Sequence, residues 1–272
     1  MTGQQPDTVY THGHQEPVLR SHRSRTAANS AGYLVPELRP GQALLDVGCG
    51  PGTITADLAE LVGPTGRVVA VDASAEVLEQ AAAYVAGRGL DNVAFEVADV
   101  HGLRYADGEF DVVHAHQVLQ HVGDPVQALR EMRRVTAEGG VVAARDVDYA
   151  SMTWYPQAPE LDRWLALYQR IARSNGGEPD AGRRLLSWAR AAGFTEVAAT
   201  SSTWTYATPE QRTWWGGLWA DRILDSAIAK AAVAEGFADR AELERIAAGW
   251  REWAAAEDGW FAMLHGEVLA RG

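Results

Sequence analysis

The sequence predicts an α/β protein with a doubly wound, mostly parallel sheet of seven strands. Between residues 41 and 150, short apolar runs typical of buried strands alternate with amphipathic segments typical of helices, the pattern of consecutive βαβ units. After residue 207 the pattern changes to about fifty residues that read as helices only, before one last apolar strand. The 272 residues are enough to bury the core of such a fold.

The βαβ units follow one another regularly after an N-terminal helix predicted at 15–35. Ser74 is a candidate N-cap of the second helix in these units, and Gly87 and Gly89 are candidate stops. Strands are predicted at 43–47, 67–72, 93–97, 110–115 and 140–146, and helices at 53–62, 74–87 and 124–135.

The second half is expected to complete the sheet and to add a helical insertion. Residues 208–256 read as helices with breaks near Gly216-Gly217 and Gly236. Helices are also predicted at 158–174 and 180–192, and strands at 196–206 and 259–270. The expected organisation is a cover segment at 1–40, a core at 41–206 and 257–272, and a helical lid at 207–256.

Composition and charge disfavour several classes of function. Lys and Arg number 24 against 36 Asp and Glu, and the net charge of −12 argues against nucleic acid and anionic membranes as partners. No signal-peptide pattern is visible, and no apolar run approaches the roughly 18 residues that span a bilayer. The single Cys49 cannot form an intrachain disulfide, so we expect a cytoplasmic protein.

The strongest motif is a glycine-rich turn, Asp46-Val47-Gly48-Cys49-Gly50-Pro51-Gly52, between the first strand and its helix. Glycines permit a tight turn and let a ligand approach the backbone closely. Asp72 ends the second strand and can accept hydrogen bonds from both hydroxyls of a ribose. Asp99 follows the third strand and can accept a hydrogen bond from an adenine amine. Together these strand ends predict a nucleoside site.

The spacing within this turn favours S-adenosylmethionine over a nicotinamide dinucleotide. Its three glycines are arranged as G-x-G-x-G, whereas dinucleotide folds have G-x-G-x-x-G. Pro51 lacks the N–H that could hold a pyrophosphate. The carboxylate of Asp46 suits a ligand with a cationic amine, although it could instead only orient the loop backbone. Cys49 has no evident base beside it, so we expect a packing residue and not a nucleophile.

These features resemble the class I S-adenosylmethionine-dependent methyltransferases, and most closely the branch named for ubiquinone and menaquinone biosynthesis. The resemblance implies a Rossmann-like sheet and is strong over about residues 40–150. Leu119–Pro125 is similar to that branch's Leu-His-His-x-x-Asp-Pro stretch, whereas Ala137–Gly140 departs from its usual Lys-Pro-Gly-Gly. The segments that carry the resemblance are 44–52, 69–72, 98–99, 119–125 and 134–140.

The resemblance also implies roles for individual residues. The glycine loop would face the methionine part of the cofactor, and the carboxylate after the second strand would bind the ribose. The carboxylate after the third strand and the backbone next to it would hold the adenine, and two polar residues after the fourth strand would lie near the sulfur. The residues so assigned to the cofactor are Asp46, Gly48, Cys49, Gly50, Gly52, Asp72, Ala73, Asp99, Val100, His116 and Gln117.

Catalysis needs a base only if the acceptor atom is protonated. In the related phosphoethanolamine methyltransferases, a His at the same ten-residue offset from the fourth strand pairs with an N-terminal Tyr, which implies a catalytic Tyr10–His121 pair here. The alternative is that His121 caps the following helix and Tyr10 only packs. The basic stripe at 20–25, which includes Arg25, is either a solvated face or a contact for the cofactor carboxylate or an acidic substrate. The histidine spacings predict no metal site.

All ten tryptophans follow residue 153, and seven lie between Trp204 and Trp260. Indoles suit an aromatic acceptor, although aromatic stripes on helices mostly form core or a dimer interface, and a homodimer is left open. Trp154, Trp219 and His14 are the predicted acceptor contacts. We therefore expect methylation of a small aromatic acceptor, for example an indole, in secondary metabolism. The alternatives are O- or N-methylation of a quinone- or phenol-like metabolite, an NAD-dependent oxidoreductase, and a non-catalytic S-adenosylmethionine-binding regulator.

Overall fold

The computed structural model describes residues 24–272, and in this part of the chain eight strands form one sheet with helices on both faces. The strands are β1 Ala43–Val47, β2 Arg67–Asp72, β3 Val93–Val97, β4 Phe110–His116, β5 Thr136–Val147, β6 Thr153–Tyr155, β7 Glu196–Tyr206 and β8 Trp260–Arg271. The helices are α1 Ala27–Ser30, α2 Thr53–Val62, α3 Ala75–Gly87, α4 Pro125–Val135, α5 Pro159–Ser174, α6 Leu185–Ala191, α7 Pro209–Arg222, α8 Ala227–Ala234 and α9 Arg240–Ala255. No helix in residues 24–272 is both long and apolar enough to cross a membrane.

The sheet has the order β3-β2-β1-β4-β5-β8, with β7 on the far side of β8, and the predicted mostly parallel α/β architecture is confirmed. Strands β1 to β5 pair in parallel, and β8 runs antiparallel to its neighbours. The strand β6, which the sequence did not predict, pairs with β8 just beyond the end of β5. Three residues are too few to show the alternation by which a strand is recognised.

The parallel pairing brings the carboxyl ends of β1, β2 and β4 to one edge of the sheet. Asp46 near the end of β1 lies beside His114 of β4, and Val47 lies beside Val71 of β2. The apolar residues of β1 and β2 are almost fully buried, as expected for parallel strands covered on both faces. The polar groups that follow these strands therefore converge where ligands of open α/β sheets bind.

Helix starts in the first half follow local capping. The Ser74 hydroxyl accepts a hydrogen bond from the Val77 N–H, so the predicted N-cap of α3 is confirmed. The N-cap of α4 is Asp124, whose carboxylate accepts from the Gln127 N–H at 2.8 Å. His121 therefore does not cap this helix, and that alternative interpretation is wrong.

The N-terminal helix predicted at 15–35 does not reach residue 35. Within the described residues, α1 is a single turn capped by Thr26, and the chain turns away at Gly32, where a Cβ would lie 2.9 Å from the Ala28 carbonyl oxygen. The indole N–H of Trp204 donates to the Asn29 carbonyl at 2.8 Å, which fixes this turn against β7.

Three helices, α7 to α9, lie between β7 and β8 and pack with α5 around a cluster of buried indoles. The rings of Trp164 and Trp250 meet edge to face at 4.9 Å. The predicted break at Gly216-Gly217 is wrong, because α7 continues through both residues to Arg222. A Cβ at Gly216 would lie 2.7 Å from the Cβ of Ala254, so glycine lets α7 and α9 approach closely. The break predicted at Gly236 is present.

Candidate active site

A cavity of about 560 Å³ opens at the carboxyl ends of the parallel strands, a volume within the usual range for small-molecule sites. It gathers most of the residues that the sequence assigned to the site, although they come from four separate strand ends. The assigned residues that line it are Asp46, Gly48, Cys49, Gly50, Asp72, Ala73, Asp99, Val100, His116, Gln117 and His121.

The glycine turn has left-handed backbone at all three glycines. A Cβ at Gly48 would lie 2.4 Å from Val118 Cγ2, so no side chain fits there, whereas Gly50 faces open space. Gly52 does not line the cavity. A Cβ at Gly52 would lie 2.9 Å from the Cβ of Ala81, so glycine at this position lets the start of α2 pack closely against α3. The predicted contact of Gly52 with the ligand is therefore corrected to a packing role.

Asp72 connects the glycine turn after β1 to the turn after β2. Its carboxylate accepts hydrogen bonds from the Gly50 N–H at 3.2 Å and from the Ser74 N–H at 3.0 Å. Each oxygen of an ionised carboxylate has two lone pairs, so both can accept a second hydrogen bond. This geometry suits two vicinal hydroxyl groups of a ligand.

Asp99 is fixed by the backbone and ring of His101, at 2.9 and 2.7 Å. Partial burial by itself raises the pKa of Asp99, but the hydrogen bonds and charge of His101 outweigh it and hold the pKa below its ordinary value. The carboxylate is therefore ionised at neutral pH and available as a hydrogen-bond acceptor.

The buried carboxylate of Asp46 is held by two side chains that the sequence did not single out for it. His114 Nδ1 donates to one oxygen at 2.8 Å, and the Thr55 hydroxyl donates to the other at 2.6 Å. Within the described residues, the loop backbone donates no hydrogen bond to this carboxylate. The local sequence gave no signal, since Asp46 and His114 meet only when β1 pairs with β4.

Cys49 is a buried thiol beside the carbonyl oxygen of Gly50, 3.6 Å from its Sγ. Burial, together with the negative charges of Asp46 and Asp72, raises the pKa of this thiol. A thiol that stays protonated is a poor nucleophile. The structure therefore agrees with a packing role.

His116 is the last residue of β4, Gln117 follows it, and both line the cavity. Burial and then the positive charge of Arg25 lower the pKa of His116 well below its ordinary value, so this imidazole is neutral. Gln117 has a left-handed backbone (φ 55°), which is rare outside glycine and is often found at functional sites. Its amide accepts from Arg25 at 2.8 Å and donates to His265 Nε2 at 3.0 Å.

His121 lines the same cavity, and its Nε2 lies 2.9 Å from the amide nitrogen of Gln120. Burial, and then the charge of Arg25, lower its pKa from 6.5 to about 3. The imidazole is therefore neutral at physiological pH. Tyr10 and His14, its predicted partner and a predicted acceptor contact, lie outside the described residues.

A second, small cavity of about 30 Å³ adjoins the first and shares Arg25 and Gln117 with it. Trp219, a predicted acceptor contact, lines this cavity. Trp154 lines neither cavity: it is buried and stacks on Phe261 at 5.9 Å, so its prediction as an acceptor contact is corrected to a core role. The other residues of the small cavity are Ser24, Tyr149, Trp204, Tyr206, Trp214, Trp215, Arg222 and Met263.

The large cavity fits S-adenosylmethionine. Asp72 and Asp99 can accept hydrogen bonds from the ribose and the adenine amine, and Gly50 leaves open space beside the backbone where a ligand can approach. Among residues 24–272, no group of three or more His, Cys, Asp or Glu side chains could hold a metal ion.

Comparison with known proteins agrees with this geometry. A family model described as a methyltransferase domain matches residues 38–195. An uncharacterized methyltransferase of Schizosaccharomyces pombe is 33% identical over 268 residues, which cover 96% of this chain and 95% of the relative. The nocamycin O-methyltransferase of Saccharothrix syringae is 31% identical over 197 residues, 68% of this chain and 70% of the relative.

Among solved structures, the YcgJ protein of Bacillus subtilis has a TM-score of 0.57 and 18% identity, over 88% of this chain and 97% of that one. This likeness shows the fold alone, whereas the family match spans more than half of the chain and includes the glycine turn and both strand-end carboxylates. The chain belongs to the S-adenosylmethionine-dependent methyltransferases.

Proposed function

We propose that this enzyme transfers the methyl group of S-adenosylmethionine to a small aromatic acceptor of natural-product type, for example an indole. One observation carries the proposal: six aromatic rings line the small cavity that adjoins the cofactor cavity at Arg25 and Gln117. The cavity of about 30 Å³ is too small for a whole ring, so its flat apolar walls hold one edge of an aromatic acceptor that extends into the larger cavity, and they exclude water from it. The aromatic side chains are Tyr149, Trp204, Tyr206, Trp214, Trp215 and Trp219.

The protein contributes alignment and proton removal. Bound S-adenosylmethionine supplies a methyl group activated by its positively charged sulfur. Gln117, fixed from two sides by Arg25 and His265, forms the shared wall between the two cavities and positions the acceptor there. The three helices α7 to α9 carry much of the aromatic wall, and we propose that they act as the lid over the acceptor.

We assign proton removal to His121, assisted by Tyr10. The neutral state of His121 leaves it able to act as a base.

The proposal is tested with a panel of indoles, phenols and quinones and a second panel of aliphatic amines, alcohols and acids. Each compound is incubated with enzyme and S-adenosylmethionine, and the gain of one methyl group is measured by mass spectrometry. We expect methylation in the aromatic panel. Turnover confined to the aliphatic panel would overturn the proposal.

The role of His121 is tested with His121→Ala and Tyr10→Phe. We expect kcat to fall by about a hundredfold for His121→Ala, because general-base catalysis contributes factors of this order. The affinity for S-adenosylhomocysteine serves as the control and should change little in both variants. Unchanged turnover in His121→Ala would show that His121 is not the general base.

O-methylation of a phenol-like acceptor is the second candidate. It is favoured by the relative from Saccharothrix syringae, whose name gives O-methylation of nocamycin as its activity. The position of the new methyl group in the product separates the two candidates. A place in secondary metabolism, a cytoplasmic location, the absence of nucleic-acid partners, a homodimer and the acceptor contact at His14 stay predictions.

A further inference from the structure

We propose that the acceptor continues past the small aromatic cavity into a third, outer cavity, which binds a second ring of the acceptor that is neutral and hydroxylated. The inference rests on the proposed function, since it names the class of acceptor for the same site. It predicts a two-ring acceptor. The reacting ring lies beside the cofactor, a short linker passes through the small cavity, and the second ring lies in the outer cavity.

The outer cavity has a volume of about 510 Å³, within the usual range for small-molecule sites. It shares the rings of Trp204, Tyr206 and Trp214 with the small cavity. The small cavity in turn shares Arg25 and Gln117 with the cofactor cavity, whereas no described residue lines both the cofactor cavity and the outer one. The small cavity therefore lies between the two large ones.

The volumes indicate which part of the acceptor each cavity can hold. About 30 Å³ is room for roughly two water molecules, which matches a linker of a few atoms and not a ring. An acceptor whose reacting ring lies in the cofactor cavity can therefore place only a linker between the three shared rings. A larger substituent must lie beyond them, and the outer cavity has the volume for it.

The aromatic wall of the outer cavity suits a second ring. The indole N–H of Trp204 is held by the Asn29 carbonyl oxygen at 2.8 Å. Tyr206 stacks on Trp215, with 4.3 Å between the ring centres and 8° between the planes. Trp214 is half-buried, and its ring centre lies 5.9 Å from that of Tyr206. Rings that are already held in place lose little conformational freedom on binding, so this wall favours a flat partner.

Two threonine hydroxyls lie at the same cavity. Successive side chains of a strand point to opposite faces, so a cavity lined by Thr203 and Thr205 as well as by Trp204 and Tyr206 lies at the edge of β7. Both threonines are exposed, and a hydroxyl group can donate and accept hydrogen bonds. They complement hydroxyl groups on the second ring.

Charges around the outer cavity favour a neutral ring. Glu210 is an exposed carboxylate in its lining, and no Lys or Arg is among the described lining residues, so an anionic ring would meet a like charge. The ring centre of Trp204 already has two guanidinium groups beside it, Arg145 at 4.9 Å and Arg25 at 5.9 Å. A cationic ring would be disfavoured there for the same reason.

The test compares skatole, a methylindole, with the indole that carries a para-hydroxybenzyl group at the same carbon. Binding of each probe to the enzyme saturated with S-adenosylhomocysteine is measured by calorimetry. We expect the two-ring probe to bind at least about tenfold more tightly than skatole, because the second ring is stacked and buried. A para-carboxybenzyl group in its place should lose most of this gain.

Two variants alter the outer cavity. Trp214→Ala removes part of the aromatic wall, and Thr205→Trp fills the cavity from an exposed position of the strand. Each should remove most of the gain, measured as the ratio of the two affinities within one variant. Ser201→Trp is the matched control, because Ser201 is exposed on the same strand, lies roughly 13 Å along it from Thr205 and lines none of the three cavities. It should retain the full gain.

Melting temperature and affinity for S-adenosylhomocysteine verify that each variant is folded, and Thr205→Trp serves if Trp214→Ala is not. Four results would each overturn the inference. The two-ring probe binds no more tightly than skatole, neither probe binds at millimolar concentration, the gain survives both substitutions, or the carboxylate probe gains as much as the hydroxyl probe.

Failure of this inference is distinguishable from failure of the proposed function. If single-ring aromatic acceptors are methylated and the second ring adds nothing to affinity, the proposed function stands and the outer subsite is wrong. If the second ring adds affinity that depends on Trp214 but only aliphatic compounds are methylated, the outer subsite stands and the aromatic acceptor is wrong.

Discussion

The two halves of this chain form their sites in different ways. In residues 43–147, which contain no tryptophan, the cavity is made by backbone turns and carboxylates that directly follow successive strands. In residues 149–271, which contain all ten tryptophans, the small cavity is made by side chains from separate elements, such as Trp204 of β7, Trp219 of α7 and Met263 of β8. A site formed by local turns can be predicted from the sequence. A site formed by side chains from distant parts of the chain can be identified only from the three-dimensional structure.

The tryptophans of the second half serve packing more than binding. Trp164, Trp219 and Trp250 are fully buried, and Trp219 contacts the rings of both others while also lining the small cavity. Trp219 therefore belongs both to the hydrophobic core of the second half and to the wall of the small cavity.

The largest effect should come from removing the centre of this core. Trp250→Ala deletes a fully buried indole that contacts Trp164, Trp253 and Phe261, and we expect the free energy of unfolding to fall by about 3–5 kcal/mol. Trp260→Ala, at a residue that is 40% exposed, should change it by roughly 0.5 kcal/mol or less. Urea unfolding measures both. Similar losses in the two variants would show that the indole cluster is not the core of the second half.

The next effect is the change in the free energy of unfolding with pH that the buried imidazole of His121 causes. The pKa of His121 is lowered by burial to about 3, so below pH 6.5 the unfolded chain takes up a proton that the folded protein does not. The contribution of His121 is therefore complete above pH 6.5 and is lost as the pH falls toward 3, by about 1.4 kcal/mol per pH unit. His121→Gln should remove this loss, so that the variant gains on the wild type as the pH is lowered.

Urea unfolding of both proteins between about pH 7.5 and pH 4 gives the difference curve. Asp146, whose pKa burial raises to about 7, acts in the opposite direction, but it is present in both proteins and cancels. A difference that does not change with pH would mean that His121 is accessible to protons in the folded state.

The cofactor half should be most sensitive at the turn after β1. Gly48→Ala places a Cβ 2.4 Å from Val118 Cγ2 in a left-handed backbone, so the turn must shift, and we expect about 2 kcal/mol weaker binding of S-adenosylhomocysteine, roughly thirtyfold. Gly89→Ala introduces the same left-handed cost with no atom within 4 Å and far from the cavity. Calorimetry should show unchanged affinity for this control. Equal affinities of the wild type and both variants for S-adenosylhomocysteine would show that the glycine turn is not part of the cofactor site.

The difference between the halves also limits what the sequence could predict. The bounds of β1, β2, β3 and β7 agree with prediction, because apolar runs and turn residues are local signals. The glycine turn, Asp72 and Asp99 could be placed around one cavity because parallel strands end at one edge of the sheet.

The residues of the small cavity could not be predicted from the sequence. Trp154 and Trp219 look alike in sequence, and only the packing shows that the first faces Phe261 in the core while the second reaches a cavity. Arg25 and Arg222 are almost two hundred residues apart, and no periodicity relates them. Spatial convergence of this kind leaves no local pattern in one sequence.

The smallest effect tests two adjacent glycines, for one of which helix propensity and tertiary packing predict opposite effects of alanine. Gly216 and Gly217 are adjacent in α7, and propensity alone predicts that alanine stabilises the helix at both by up to about 1 kcal/mol. At Gly217 nothing lies within 4 Å of a new Cβ, so Gly217→Ala should raise the free energy of unfolding by about 0.5–1 kcal/mol.

At Gly216 the new Cβ would lie 2.7 Å from the Cβ of Ala254 and 2.8 Å from the Trp250 carbonyl oxygen, so α7 and α9 must move apart. Gly216→Ala should therefore lower the free energy of unfolding by about 1–3 kcal/mol, the usual cost of overpacking. Urea unfolding of the two variants side by side measures the sign of each change. Opposite signs at adjacent positions would show that packing against α9 selects glycine at 216, whereas stabilisation by both would mean that the two helices are not in close contact there.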